Sequence, residues 1–331
     1  FSQELLERHG KRNGPIFGIR DDLSENYPNI TYDSYSELYW VANNQDLLRS
    51  GYSILNSLKE NSNNISNYVD WESWAKFFAV TDMVEAYHGA LAKSVRVYYN
   101  PVSGKIEPIS FDGHHGTSDF SNFIILDFMK ETSECSWICN DKEWFLRFLL
   151  DHNNNPRKEF VEPYLKYLKV VSDEIFLQNF QKKYGPEINK LNKVFYSDFS
   201  TYDNILWRGI FPYVFDDEYL FKRSLKIKQK LNKNMSNFIF SKKENILNIK
   251  VARKSFPVKI VSDCDKIGEE KITFWAYETK NIFWPNECKN LRIINTNDQI
   301  KNVFLFDNPI TDNTLPLNLK ELPTLAETIK G

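Results

Sequence analysis

The sequence predicts an α+β protein in two parts: a mixed domain over residues 1–240 and a small β-rich accessory domain over residues 241–331. Three observations predict it. Helical periodicity dominates from about residue 34 to 234, preceded by one short apolar strand and interrupted by one hairpin. From about Ile246 the pattern changes to short β-type runs separated by Asn, Asp, Gly and Pro. The 42% hydrophobic and 15% aromatic content supplies material for a sizeable core and excludes a disordered chain.

Taken in order, "FSQELLERHGKR" predicts a short helix, "KRNGP" a turn, and "IFGI" an apolar strand ending at "RDD". Residues from Ser34 to about Leu58 are of mixed helical pattern, followed by the polar loop "KENSNNISN". Asp70 is placed to cap a helix beginning "WESWAKFFAVTDMVEAYHGALA". On that helix Trp74, Phe77, Phe78, Thr81 and Val84 share one stripe, and Glu85 and His88 fall on the same stripe one turn later. A buried carboxylate is costly unless paired, so this end either leaves the core or supplies a site. Asp82 falls off the stripe, which predicts a surface residue, and Gly89 is placed to turn the chain away.

"VRVYY", "NPVSG" and "KIEPISF" then predict strand, turn and strand, with Pro108 marking the second strand as an edge or an interrupted one. A hairpin brings its outer ends together. The segment holding Glu85, His88 and Ser94 should therefore lie near Asp112 and His114. Beyond it the pattern is helical, broken at "DHNNNPRK", with long helices expected at 158–184 and 212–232. The accessory domain is predicted from "ILNIKVAR", "PVKIVS", "KITFWAY", "LRIINT" and "NVFLFD" and should end near Asn308, before a Pro/Leu-rich tail.

Charge and composition exclude some partners. A net charge of −2 gives no basic field for nucleic acid, and the Lys-rich run Phe221–Asn234 has the spacing of a solvated helix face. No apolar run approaches the roughly 18 residues a membrane helix needs. The chain opens on Phe1 without an initiator Met, as expected of a trimmed or processed chain. Four cysteines suit neither a disulfide framework for this length nor a zinc site, so structural or free thiols are expected. Three Asn-x-Ser/Thr sequons, at Asn29, Asn64 and Asn234, are expected by chance in so Asn-rich a chain.

The order helix, loop, hairpin, Asp is that of kinase-like phosphotransferases. More closely, Val69–Gly116, "VDWESWAKFFAVTDMVEAYHGALAKSVRVYYNPVSGKIEPISFDGHHG", resembles the core of the spore-coat-protein-H (CotH) kinase family, and "ERHGKRNGPIFGIRDD" resembles its nucleotide-lining strand. The resemblance covers residues 1–120, extends weakly to about 234, and leaves out the β-rich tail. It implies an atypical kinase-like fold, ATP with Mg²⁺ or Mn²⁺, a protein or glycan acceptor, and an extracellular or cell-envelope setting, a cytoplasmic one staying open. Asp112 matches the metal-binding Asp, Ser94 stands where the family has an Asn, and His114 where a second Asp often follows. Glu85 or His88 occupies the neighbourhood of the catalytic Asp. Arg20 or Asp21 stands near the family's Glu, and Lys11 and Arg12 are candidate phosphate contacts, with plain surface charge as the alternative. Serine can replace Asn as an oxygen donor, whereas His for Asp gives up a negative charge that magnesium favours. Two further readings stay open: a non-catalytic binding or assembly module, and a metal-dependent hydrolase or transferase built on His88, Asp112, His114 and His115.

Overall fold

In the computed structural model the described residues are 6–7, 10–19, 27, 29–111, 113, 123–129, 137–198, 217–233, 238–243, 245–251, 258–262, 272–274, 279–283, 290–294, 300–306 and 319–321. The protein is a mixed α+β chain of two compact units. Phe1–Phe128 and Thr132–Lys228 form one, and Met129–Glu131 and Gln229–Gly331 the other.

The first unit holds strands β1 (Ile16–Ile19), β2 (Tyr32–Ser34), β3 (Arg96–Asn100) and β4 (Lys105–Ile109), in the spatial order β2-β1-β3-β4, all antiparallel. The predicted strand "IFGI" is β1, buried along its whole length. Helices α1 (Glu37–Asn43) and α2 (Gln45–Lys59) follow β2. α2 lies close to the sheet because Gly51 has no side chain: a Cβ there would stand 2.3 Å from the Phe17 ring of β1.

Helix α3 (Trp71–Val84) starts where the sequence predicts. The Asp70 carboxylate accepts the Ser73 amide at 3.1 Å and the Ser73 hydroxyl at 2.8 Å, filling orphan donor positions of the first turn. Its buried face is rotated from the expected stripe. Trp71, Trp74, Ala75, Phe78, Ala79 and Asp82 lie inward, at i, i+3, i+4, i+7, i+8 and i+11, whereas Phe77 and Val84 are only part-buried. Trp74 and Phe78 meet Trp144, Phe145, Phe148 and Phe160 ring to ring, at centroid separations of 4.6 to 5.8 Å, and this aromatic cluster centres the core.

The hairpin is as predicted. Arg96 pairs with Ile109 and Asn100 with Lys105, and the Asn100 side chain accepts the Val102 amide at 2.9 Å to fix the turn. β4 lies at the sheet edge, as Pro108 foretold. Ile106 turns its backbone outward, donating to Tyr68 O at 2.9 Å and accepting from the Asp70 amide at 3.1 Å. These two bonds anchor the start of α3 to β4.

Helices α4 (Lys142–Leu149), α5 (Lys158–Val171), α6 (Glu174–Asp198) and α7 (Asp217–Lys233) complete the helical part. The expected break at "DHNNNPRK" is a turn knotted by Asp151, whose carboxylate accepts the Asn153 and Asn155 amides at 2.8 and 2.9 Å. The single helix expected over 158–184 is two. α5 stops at Ser172, and Asp173 caps α6 by accepting the Ile175 amide at 2.9 Å. The Lys-rich run lies on α7 with Lys222 and Lys226 exposed, as a solvated face requires, but Arg223 within it is 3% exposed.

Among its described residues the second unit shows eight antiparallel strands. β5 (Phe238–Lys243), β6 (Ile246–Val251) and β9 (Thr279–Phe283) form a sheet in the order β5-β6-β9. β7 (Val258–Ser262), β8 (Ile272–Phe274), β10 (Asn290–Ile294), β11 (Ile300–Phe306) and β12 (Leu319–Glu321) form another, β12-β11-β10-β7-β8. All five predicted runs contain a strand. β5, β9 and β12 are additional, and β12 extends the sheet into the tail expected to lie beyond it. The cysteine expectation is corrected as well. Cys139 is disulfide-bonded, a pairing that spacing alone does not reveal. The other three cysteines lie outside the described residues.

Candidate functional site

α3 ends in an unusual way. Glu85 closes it in the left-handed region, φ 53° and ψ 29°, with its amide on Thr81 O. A non-glycine residue there costs about 1–2 kcal/mol, so the surroundings must hold it. The chain thus turns at Glu85, four residues before the expected Gly89. A single tight turn, Tyr87–Ala90, follows and carries His88.

What holds the turn is a buried polar network. Arg223 of α7 donates from Nε to Asp82 O at 2.9 Å and from Nη2 to Phe123 O at 2.6 Å and Tyr87 Oη at 3.1 Å. Its Nη1 stands 3.0 Å from Glu85 Oε1, an ion-pair contact off the hydrogen-bond direction. Asp82 accepts the Tyr87 hydroxyl at 2.6 Å, the Tyr164 hydroxyl, and the Ile125 amide at 3.1 Å. Phe123 O already receives the guanidinium, which leaves the single Tyr87 proton for Asp82.

Asp82 and Glu85 are both fully buried. Burial pushes the Asp82 carboxyl up to about 6, against the lowering pull of Tyr164, Tyr87 and Arg223. Burial also raises Glu85, with Arg223 and Lys226 opposing. For Arg223 burial works against the charge, but Tyr87, Glu85, Asp82 and Tyr164 outweigh it and its pKa is raised. The surface position expected for Asp82 is therefore wrong. Besides Tyr87, five residues on, its partners are Ile125, Tyr164 and, through its backbone carbonyl, Arg223, all remote in sequence. Only its i, i+4, i+11 spacing to Phe78 and Trp71 could have signalled it.

The loop Leu91–Val95 leads from this turn into β3. Asp141 accepts the Ala92 amide at 3.1 Å, and Trp144 donates to Ala90 O at 3.0 Å, so α4 and the turn before it fix the loop from behind. Ser94 is 4% exposed, and its hydroxyl makes no hydrogen bond among the described residues.

The two mouths of the hairpin do meet. A Cβ added at Gly89 would stand 2.7 Å from Gly113 Cα and 2.9 Å from Phe111 O, and one at Gly113 would lie 3.9 Å from Ala86 Cβ. The turn bearing His88 is thus in backbone contact with Phe111 and Gly113, the chain neighbours of Asp112. His88 itself is part-buried. Asp112, His114, His115, Arg20 and Asp21 lie outside the described residues.

The N-terminal candidates stand elsewhere. Lys11 pairs with Glu107, whose other oxygen accepts the Asn100 amide group at 2.6 Å. Glu107 lies mid-way along β4, opposite Tyr98 of β3. Arg12 is exposed, and its carbonyl accepts the Tyr98 hydroxyl at 2.7 Å. Lys11 therefore neutralises a buried carboxylate in the middle of the hairpin. Among the described residues no group of three or more His, Cys, Asp or Glu is arranged to hold a metal ion. No helix among them is long and apolar enough to cross a membrane. No protein-family model matches the chain, and no curated protein matches it.

Proposed function

We propose that this protein is a kinase-like phosphotransferase of the CotH type, which uses ATP and a divalent cation to phosphorylate a hydroxyl group on a protein or glycan. One observation carries the reading: the backbone contact of Gly89 with Phe111 and Gly113, which joins the turn holding His88 to the segment holding Asp112. The order of a short antiparallel sheet, a hairpin and a following set of helices agrees with a kinase-like fold.

In this reading His88 orients the acceptor hydroxyl and takes its proton, a role imidazole fills near neutral pH. Glu85 is committed to Arg223 and acts as a positioning residue that holds the turn. Asp112, the Ser94 hydroxyl and His114 would be the residues to hold Mg²⁺ or Mn²⁺. When bound, the nucleotide supplies the transferable phosphoryl group and the cation offsets its charge.

The test is phosphate transfer from labelled ATP, with Mg²⁺ or Mn²⁺, by the full chain and by Asp112→Ala and His88→Ala. Transfer lost in both variants, with unchanged melting temperatures, supports the reading; transfer unchanged in Asp112→Ala overturns it. A second reading, a non-catalytic assembly module that retains nucleotide, is favoured by the internal pairing of both Glu85 and Lys11. Nucleotide binding without turnover in the unmodified protein selects it.

A further inference from the structure

Arg96 is the first residue of β3 and joins three parts of the fold. Its Nη1 donates to the carbonyls of Lys93 and Ser94, each at 2.8 Å, and of Val95 at 3.3 Å. The guanidinium lies over the Phe111 ring at 4.3 Å and the Tyr35 ring at 5.3 Å. Gly18 on β1 makes room for this arrangement, since a Cβ there would stand 3.3 Å from Tyr35 Oη and 3.6 Å from Arg96 Cδ.

All three hydrogen bonds use one nitrogen. Among the described residues Nε and Nη2 of Arg96 make none, and no carboxylate pairs with the guanidinium. The residue is part-buried. A role confined to tying residues 93–95 needs only one donor. It does not require a part-buried guanidinium set against two rings with its Nε–Nη2 edge unbonded among the described residues. That edge is the two-pronged donor that matches a phosphate. The flanking rings of Tyr35 and Phe111, 37% and 36% exposed, offer faces to a planar group beside it.

We infer that Arg96 is an anion-binding residue that receives a phosphate of a nucleotide through its free Nε–Nη2 edge, with Tyr35 and Phe111 forming a ring-stacking shelf. This rests on the phosphotransferase reading for the identity of the nucleotide, but not for the anion site itself. It also supplies the cation that Lys11 does not, because Arg96 adjoins Ser94 and Phe111 whereas Lys11 is paired with Glu107 mid-way along the hairpin.

The experiment is titration calorimetry of the full chain with tripolyphosphate, ATP and adenosine, using the unmodified protein, Arg96→Gln, Arg96→Lys and Tyr35→Ala. Arg96→Gln should weaken tripolyphosphate and ATP roughly 10- to 100-fold, the value of a charge-assisted hydrogen-bond pair. Tyr35→Ala should weaken ATP and adenosine while leaving tripolyphosphate within about twofold. Arg96→Lys keeps the charge but loses the fork, and should lose at least about fivefold for ATP. It decides the matter if Arg96→Gln does not fold. Binding of both phosphates that is unchanged in the Arg96 variants overturns the inference, as does an unmodified protein that ignores tripolyphosphate. ATP binding and transfer that do not depend on Arg96 would leave the phosphotransferase reading standing alone. Arg96-dependent tripolyphosphate binding without transfer from ATP would leave the anion site standing alone.

Discussion

Replacing Arg223 by Met is the sharpest test of what holds the turn after α3. Methionine keeps most of the stem volume, so the cost comes from polar groups and not from a cavity. Glu85, fully buried, loses its only ion-pair partner among the described residues, and breaking a buried pair in this way costs about 3–5 kcal/mol. Phe123 O and Asp82 O lose donors at 2.6 and 2.9 Å, but the Tyr87 hydroxyl, 2.9 Å from Phe123 O, can turn to serve one of them. A net loss of about 4 kcal/mol is expected, most of it from Glu85. That is a large share of the 5–15 kcal/mol by which a typical domain is stable. The assay is urea unfolding followed by fluorescence of the buried Trp74 and Trp144. Glu85→Gln in the Arg223→Met background should restore about 2 kcal/mol, because the stranded group is then neutral. A loss below about 1 kcal/mol, or strictly additive single variants, would refute the reasoning.

Three other outcomes follow from the same geometry. Asp82 has a folded pKa near 6, above its unfolded value, so its contribution is most favourable below about pH 4 and is lost as pH rises through 6. Urea midpoints at pH 4 to 7 should therefore show the unmodified protein losing about 3 kcal/mol relative to Asp82→Asn across that window, and parallel profiles would contradict it. Gly89→Ala puts a methyl 2.7 Å from backbone that cannot move cheaply; a loss of about 1–3 kcal/mol in thermal melts and weaker nucleotide binding are expected together. Lys11→Ala strands Glu107 with Asn100 alone and should cost about 1–3 kcal/mol in stability with ATP affinity unchanged; a selective loss of ATP affinity would restore Lys11 as a phosphate contact.

What was legible in the sequence was local. The Asp70 cap, the "IFGI" strand, the hairpin with its edge proline and the Asp151 turn each depend on residues within a few positions of one another, and each is where it was expected. The helical stripe was misjudged because Phe77 and Val84 are apolar without being central, and Asp82 is central without being apolar. Periodicity weighs residue type, whereas burial of Asp82 is decided by Tyr164 and Ile125, 82 and 43 positions away. Glu85 fell on the inward stripe with its burial left open between a helix end leaving the core and a site, and its partner Arg223 sat inside a lysine-rich run that advertised a solvated face. The merged 158–184 helix has a similar cause: only Asp173, a good cap hidden in a continuous apolar rhythm, separates the two. For the candidate site, the hairpin rule found the meeting of the two mouths, and Arg96 was overlooked because three carbonyls and two rings leave no linear motif.

The outer margin of β4 has a consequence for solution behaviour. An exposed sheet border normally tempts another chain to add itself as one more strand. Here the outward-facing amide of Ile106 is spent on Tyr68, and the next outward position is Pro108, which has no amide hydrogen to offer. A visiting strand would find no free donor along this border, so the hairpin resists edge-to-edge aggregation even though it is rich in β-branched and aromatic residues.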